Sequence, residues 1–297
     1  MVYKIYLSIL QLNISIISHC VAMRYKLLLC SAADTASVNI KDSLIRTKEW
    51  EPEGELLFRD EMVIMTIPEM HIYAENVETK VKEAGIDAKE IIFLSRHRSS
   101  SGIPTLTVHP IGNFNDAELG GRPRTLTKAS PATMTAMLRM MMTSNISSFQ
   151  ASFEVTHHGP YVGIPATFIE IGSSEAQWNN TEAADIIADA ILNCEEKNFP
   201  SVIGIGGGHY APRFTEVAAT YEINFGHMIP EYAYKDVNNE ELARIIDDAA
   251  KNSCTKLAYI HKRSMKSDTA RRVTDAVTSC NIEVIDPKCL TRCVERS

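Results

Sequence analysis

The sequence predicts an α/β protein, a three-layer sandwich whose central sheet is mostly parallel or mixed and is covered by helices. Three observations predict it. Strand-like runs alternate with amphipathic helical segments, the order that builds layered α/β folds. Several of those runs are continuously apolar, as strands covered on both faces are. The 297 residues are 45% hydrophobic and 23% charged, enough apolar material for a large core.

Strands are expected at 26–32, 61–67, 90–95, 105–109, 149–156, 167–171, 201–205, 256–261 and 282–285, from apolar and β-branched content bounded by turn residues. The run 149–156 alternates. Phe149, Ala151, Phe153 and Val155 face one way, and Gln150, Ser152, Glu154 and Thr156 the other. Its polar face is expected to border solvent or a wet cavity, with Glu154 one pleat from His157 and His158. Ser130 before Pro131 reads as an N-cap with proline at the first helical position, opening a helix to Met142. Thr181 opens another, with Ala183, Ile186, Ile187, Ala190, Ile191 and Cys194 on one stripe. A third covers 240–251, and a fourth begins near Thr215. Met137, Met140, Met141 and Met142 are read as core filler. The stretch 96–128, rich in Gly, Pro, Ser and Asn, is expected to carry long functional loops.

Residues 1–22 are apolar, but Gln11, Asn13, His19 and serines make them a poor membrane span. A signal peptide is the other reading. Because Met23-Arg24-Tyr25-Lys26 leads straight into the first strand, residues 1–22 are expected to be a dispensable extension and 23–297 a single α/β domain. A net charge of −7 argues against a broad surface for DNA or other long nucleic acid, leaving room for a local basic patch. Candidate patches are Arg122, Arg124 and Lys128, and the group Lys262, Arg263, Lys266, Arg271 and Arg272. The seven cysteines form no CxxC pair, and Cys289 with Cys293 is a weak zinc spacing. Free thiols in a reducing cytoplasm are the expected state.

Histidine placement carries the chemistry. His97, His109, His157, His158, His209 and His227 sit at or just past strand ends beside turn residues, where open α/β sheets place their sites. Neutral imidazole is a common metal ligand, and catalytic zinc needs three or four such ligands with a position left open. His19, His71 and His261 are read as structural. Glu154 is a candidate ligand or general base, and Glu170 a second carboxylate candidate. Gly206-Gly207-Gly208 before His209 matches no nucleotide-binding loop, but its amides could serve an anion, with Arg213 nearby. A serine hydrolase is the competing chemistry. No GxSxG elbow is present, and Ser99, Ser100 and Ser101 after His97 do not make a triad. No cysteine neighbours a histidine outside residues 1–22.

At these residues the chain resembles the archaeal and plant type of D-aminoacyl-tRNA deacylase. The resemblance rests on Ser95-Arg96-His97-Arg98-Ser99, Leu106-Thr107-Val108-His109-Pro110-Ile111-Gly112-Asn113, Phe153-Glu154-Val155-Thr156-His157-His158-Gly159-Pro160, Gly204-Ile205-Gly206-Gly207-Gly208-His209-Tyr210 and Asn224-Phe225-Gly226-His227. It runs from about residue 24 to about 287. It implies zinc-dependent hydrolysis of the ester joining a D-amino acid to the tRNA 3′ end, and a fold similar to peptidyl-tRNA hydrolase and nucleoside phosphorylase.

Our division of roles over these motifs gives His97, His109, His157, His209 and His227 to the metal. Glu154 and His158 take the acid–base work, and the Gly207 and Gly208 amides hold the oxyanion. Tyr161 is expected to shape the side-chain pocket or stack on the terminal adenine. Arg213, Arg271 and Arg272 are expected to contact tRNA. Aminoacylated tRNA is the expected partner, without DNA or membrane. A zinc amidohydrolase or peptidase acting on small substrates without RNA, and a non-enzymatic RNA-binding module, are the alternatives.

Overall fold

The computed structural model describes residues 24–144 and 148–293; the expectations for residues 1–22, including His19 and Cys20, lie outside the described residues. The chain runs β1 (Tyr25–Ser31), α1 (Thr35–Thr47), β2 (Glu51–Glu53), β3 (Leu56–Arg59), β4 (Met62–Ile67), α2 (Val77–Glu83) and β5 (Ala88–Arg96). Then come β6 (Thr105–Pro110), β7 (Gly112–Asn113), β8 (Thr125–Leu126), α3 (Pro131–Thr143), β9 (Gln150–Phe153) and β10 (Ala166–Gly172). The remainder is α4 (Glu175–Trp178), α5 (Thr181–Asn193), β11 (Ser201–Ile205), α6 (Pro212–Thr220), β12 (Asn224–Ile229), α7 (Glu231–Tyr234), α8 (Asn239–Asn252), β13 (Leu257–Ile260), α9 (Ser267–Ser279) and β14 (Glu283–Val284).

The expected α/β architecture is present: a large mixed sheet flanked by helices, ordered β2-β3-β4-β1-β5-β10-β6-β9. Strand β1 is parallel to β4 and β5, and β10 is parallel to β5. Strand β6 reverses against β10. A second, all-parallel sheet is ordered β12-β11-β13-β14. The apolar run of β1 explains its central position, since Leu27, Leu28, Leu29 and Cys30 are all 0% exposed and so need cover on both faces. Asp34 starts α1 by accepting the Ala36 and Ser37 amides. Pro131 occupies the first turn of α3, as expected.

Helix α3 touches β6 and β9 of the large sheet and β12 of the second. Met134, Met137 and Leu138 therefore join Val108 and Phe153 to Phe225 and Met228 in one core cluster. Met142 is exposed, unlike its core-facing neighbours.

The run 149–156 departs from expectation. Regular pairing stops at Phe153, and from Val155 on the amides bond elsewhere. The Glu154 amide donates to Val108 of β6, the Val155 amide to the His209 carbonyl and the Thr156 amide to Met228 of β12. This stretch thus crosses from one sheet to the other. Its polar face meets solvent only at its start, where Gln150 is exposed and Ser152 half-buried; Glu154 is 0% and Thr156 1% exposed. Among the described residues no helix is long and apolar enough to cross a membrane.

Candidate active site

The crossing stretch gathers the site. His97 follows the carboxyl end of β5, His209 the loop after β11, and His157 and His158 the crossing itself. His109 lies on β6 and Glu170 on β10. Because His109 pairs with Phe168 and Glu170 with Thr107 across that antiparallel pair, both side chains share one face of the sheet.

Glu154 is the hub. Its Oε1 lies 3.0 Å from His97 Nδ1, and its Oε2 3.1 Å from His209 Nε2 and 3.5 Å from His157 Nε2. Glu170 Oε2 lies 3.6 Å from His97 Nδ1 and 3.7 Å from His109 Nε2. The ring centroids of His157 lie 4.2 Å from His109, 4.4 Å from His158 and 4.6 Å from His209. Five of the six predicted site histidines therefore converge.

Backbone carbonyls set the imidazole orientation. Nδ1 of His109 sits 3.1 Å from the Pro110 carbonyl, that of His157 2.8 Å from Val155, and that of His158 2.8 Å from Gly159. A carbonyl only accepts, so each Nδ1 carries a proton, and a ring that is neutral then keeps its lone pair on Nε2, the tautomer that suits metal ligation. The ligand atoms of His109, His157 and His158 lie within 4.8 Å of one another, as do those of His97, Glu154 and His209 and those of His109, Glu154 and Glu170. His158 thus stands with a ligand set as well as beside Glu154.

The residues fit a bound cation. Both Glu154 carboxylate oxygens and His109 Nε2 are buried without a hydrogen-bond partner, an arrangement costly for a carboxylate unless positive charge is close. Imidazole and carboxylate together are zinc donors. Burial works to lower the His97 pKa, but Glu170 and Glu154 outweigh it and hold it up at about 10. His109 is raised against burial by Glu170, then Glu154. Glu170 is held well below the usual carboxylate range, because His109 and His97 overcome the effect of burial. Burial, then His109, pushes His158 down to about 4. Burial and the neighbouring imidazoles push His157 well down too.

His227 does not join them, which corrects its assignment as a ligand. It sits inside β12, 0% exposed. Its Nε2 is 2.9 Å from the Thr127 carbonyl and its Nδ1 3.0 Å from Thr156 Oγ1, so both ring nitrogens are taken. Its pKa is pushed down to about 4 by burial. Arg272 is also corrected: its guanidinium donates to the carbonyls of Val237, Asn238 and Tyr234 and to Asn239 Oδ1 at 2.9 Å, tying α9 to the start of α8. Arg271 lies exposed on α9 against Asp268. Arg213 is engaged by Glu216 at 2.8 Å and the Tyr259 hydroxyl at 2.7 Å.

Of the glycine run, Gly206 is spent structurally, its amide donating to Ile229 at 2.9 Å. Gly206 and Gly207 have φ of +115° and +85°, which favours glycine. Gly207 and Gly208 lead directly into His209. Tyr161 is half-buried, with the Arg122 guanidinium 4.2 Å from its ring centroid. The loop carrying Arg122 is pressed against the histidine segment, because the Gly159 amide donates to Leu119, and a Cβ at Gly159 would meet the Gly121 nitrogen at 2.0 Å.

Two partners escaped the sequence reading. The Tyr210 hydroxyl sits 2.9 Å from His97 Nε2, and the Trp178 indole N–H donates to the His97 carbonyl at 2.9 Å. Adjacency to His209 was the available signal for Tyr210; nothing local marked Trp178.

The chain matches the family model described as D-aminoacyl-tRNA deacylase over residues 84–285. It is 37% identical over 274 residues to a D-aminoacyl-tRNA deacylase of Archaeoglobus fulgidus, covering 89% of this chain and 96% of that one. It is 35% identical over 273 residues to the enzyme of the same name from Methanosarcina mazei, covering 87% and 91%. A crystal structure described as a conserved protein of unknown function superposes with a TM-score of 0.81 at 35% identity, covering 91% of this chain and 99% of the other.

Proposed function

The chain belongs to the D-aminoacyl-tRNA deacylase family, and we propose that it cleaves the ester between a D-amino acid and tRNA with zinc held by its histidine–glutamate cluster. The deacylase activity follows from the family; the metal, the residue roles and a cytoplasmic location are our reading. What supports zinc is the convergence of three imidazoles, each with Nδ1 pinned to a carbonyl, beside a buried carboxylate whose oxygens face imidazoles without a well-formed hydrogen bond.

On this reading His109, His157 and His158 hold zinc, and His97 and His209 can hold zinc beside Glu154. Zinc supplies, when bound, Lewis acidity that polarises a carbonyl oxygen and makes water a nucleophile near neutral pH. Glu154 takes the proton from the attacking water and delivers it to the departing ribose oxygen. Tyr210 holds the His97 ring from its far nitrogen. Gly207 and Gly208 present their amides where the ester oxygen gains charge. His209, whose side chain is 39% exposed, marks the open side of the cluster, where the aminoacyl end enters. Tyr161 with Arg122, on the loop that packs against Gly159, is the cationic plate we assign to the terminal adenine. A pocket that admits the D side chain and clashes with the L form supplies chirality.

The test is hydrolysis of D- and L-tyrosyl-tRNA alongside metal analysis. Release from the D form, lost on chelation and regained with zinc, supports the reading. Full activity in metal-free protein overturns the zinc assignment. Equal activity on peptides or free amino-acid esters would favour the amidohydrolase alternative.

A further inference from the structure

The segment Ser95-Arg96-His97-Arg98-Ser99 contributes only His97 to the chemistry above, yet both of its arginines pack on one ring. The Arg96 Cζ lies 4.8 Å and the Arg98 Cζ 5.3 Å from the Trp178 ring centroid. Trp178 is 4% exposed, and its N–H holds the His97 carbonyl. One buried ring therefore braces two guanidiniums and the backbone of a site residue. A guanidinium held over a ring by its charge keeps N–H donors that can match phosphate oxygens.

These forks are not spent on carboxylates. Arg213, Arg244 and Arg271 each pair with Asp or Glu. Among the described residues Arg96 and Arg98 make no such pair. The nearby Asp34 uses one oxygen to cap α1 and the other to accept the Arg96 amide, at 3.1 Å. Besides the Trp178 ring, the Arg96 side chain meets the Met70 sulfur, at 3.9 Å, and its charge acts on the buried Asp34 carboxylate. Arg98 is exposed. Arg98 is thus an exposed positive charge without an ion-pair partner among the described residues, one position from His97, in a chain of net charge −7.

A D-aminoacyl-tRNA presents its ester on the last nucleoside, and the nearest anion is the phosphodiester joining that nucleoside to the preceding one. We infer that Arg96 and Arg98, braced on Trp178, clamp this last phosphodiester beside His97 and so fix the ester in the cluster. The clamp rests on the deacylase reading and adds to it the part of the RNA that the site grips. It also explains how a chain with a negative net charge engages an RNA end: through a fixed local pair, not a basic surface.

The experiment compares D-tyrosyl-tRNA with the D-tyrosyl ester of adenosine, which has the same scissile bond and no phosphate. Arg98→Ala is expected to lower the kcat/KM ratio of the first substrate over the second by about 10- to 100-fold, the range of a lost charge-assisted hydrogen bond. The loss should fall on KM for tRNA. The slope of log KM against log salt should flatten by about 0.7, the value for one phosphate of a single strand. Arg98→Lys should recover part of the ratio. Melting temperature checks folding; because Arg98 is exposed, Arg98→Gln serves as a second variant if alanine disturbs it. A ratio that stays at the wild-type value while wild type cleaves both esters overturns the clamp alone. A parallel fall on both substrates does the same, since it would mean that Arg98 acts on the ester or the fold. A wild-type protein that leaves both esters intact overturns the deacylase reading and the clamp together.

Discussion

Glu154 and His97 approach to 3.0 Å although their strands, β9 and β5, are separated in the sheet by β10 and β6. The approach is possible because Glu154 lies just past β9, where the chain leaves the large sheet and turns across its end. A carboxylate so placed has no solvent, and the groups within reach of its oxygens are imidazoles: His97 on Oε1, and His209 and His157 on Oε2.

Glu154→Gln keeps the shape of this hub and removes its basicity. We expect kcat on D-tyrosyl-tRNA to fall by at least about 100-fold, with zinc content kept at the wild-type level. Single-turnover rates and metal analysis on the same preparation check this. Loss of zinc would make Glu154 a ligand and not the base.

His157→Ala removes an Nε2 from the centre of the ligand set, whereas His227→Gln alters a histidine buried elsewhere. Zinc content and activity are expected to drop together in the first. The second should retain zinc per folded molecule. If both lose zinc alike, the separation of His227 from the site is wrong.

His227 also sets a pH dependence. Its pKa in the fold is about 4, below its ordinary value, so the unfolded chain binds its proton first as pH falls. Stability is fully present above the ordinary imidazole value and is lost as pH drops toward 4, by about 3 kcal/mol in all. Urea titrations of wild type and His227→Gln between pH 7 and 4 should show their stability gap shrinking as acid is added. A constant gap would falsify the claim.

Arg272→Ala should destabilise by about 1–3 kcal/mol, the cost of leaving carbonyls without their charged donor. Arg271→Ala, which loses only an exposed pair, should change stability by less than about 1 kcal/mol. Thermal melts distinguish them, and neither variant is expected to shift the salt dependence of tRNA turnover by much.

Tyr161→Ala should raise KM for D-tyrosyl-tRNA by about 5- to 100-fold, matching the loss of one base stacked on an aromatic ring. Tyr161→Phe should behave like wild type. A similar loss in both would point to the hydroxyl instead of the ring.

Much of this was legible in the sequence. Continuous apolar runs such as Leu27 to Cys30 marked the covered strands, and Ser130-Pro131 marked the start of α3. Helix α1 was not read, because Asn39, Lys41, Asp42 and Ser43 dilute its buried stripe of Ala36, Ile40 and Leu44. Strand β12 was missed because Asn224 and Gly226 break its apolar run; Gly226 is needed there, since a Cβ would sit 2.3 Å from Ser253 Oγ. The histidine cluster was recognisable from recurrence at strand ends. The identity of its outlier was not, because the partners that occupy His227 come from Thr127 and Thr156, far away along the chain. The same limit hid Arg272: a run of basic residues looks alike whether it faces solvent or secures a neighbouring helix.

The four residues Glu154 to His157 bond successively to β6, the His209 loop, β12 and Ile111. Neither half of the molecule therefore owns a complete set of reactive groups, and an incompletely assembled chain has no partial version of the activity to offer. For a proofreading enzyme this is a safeguard: half-folded copies cannot strip amino acids from tRNA indiscriminately, and the appearance of turnover during refolding should coincide with the last docking event, not with the formation of either sheet.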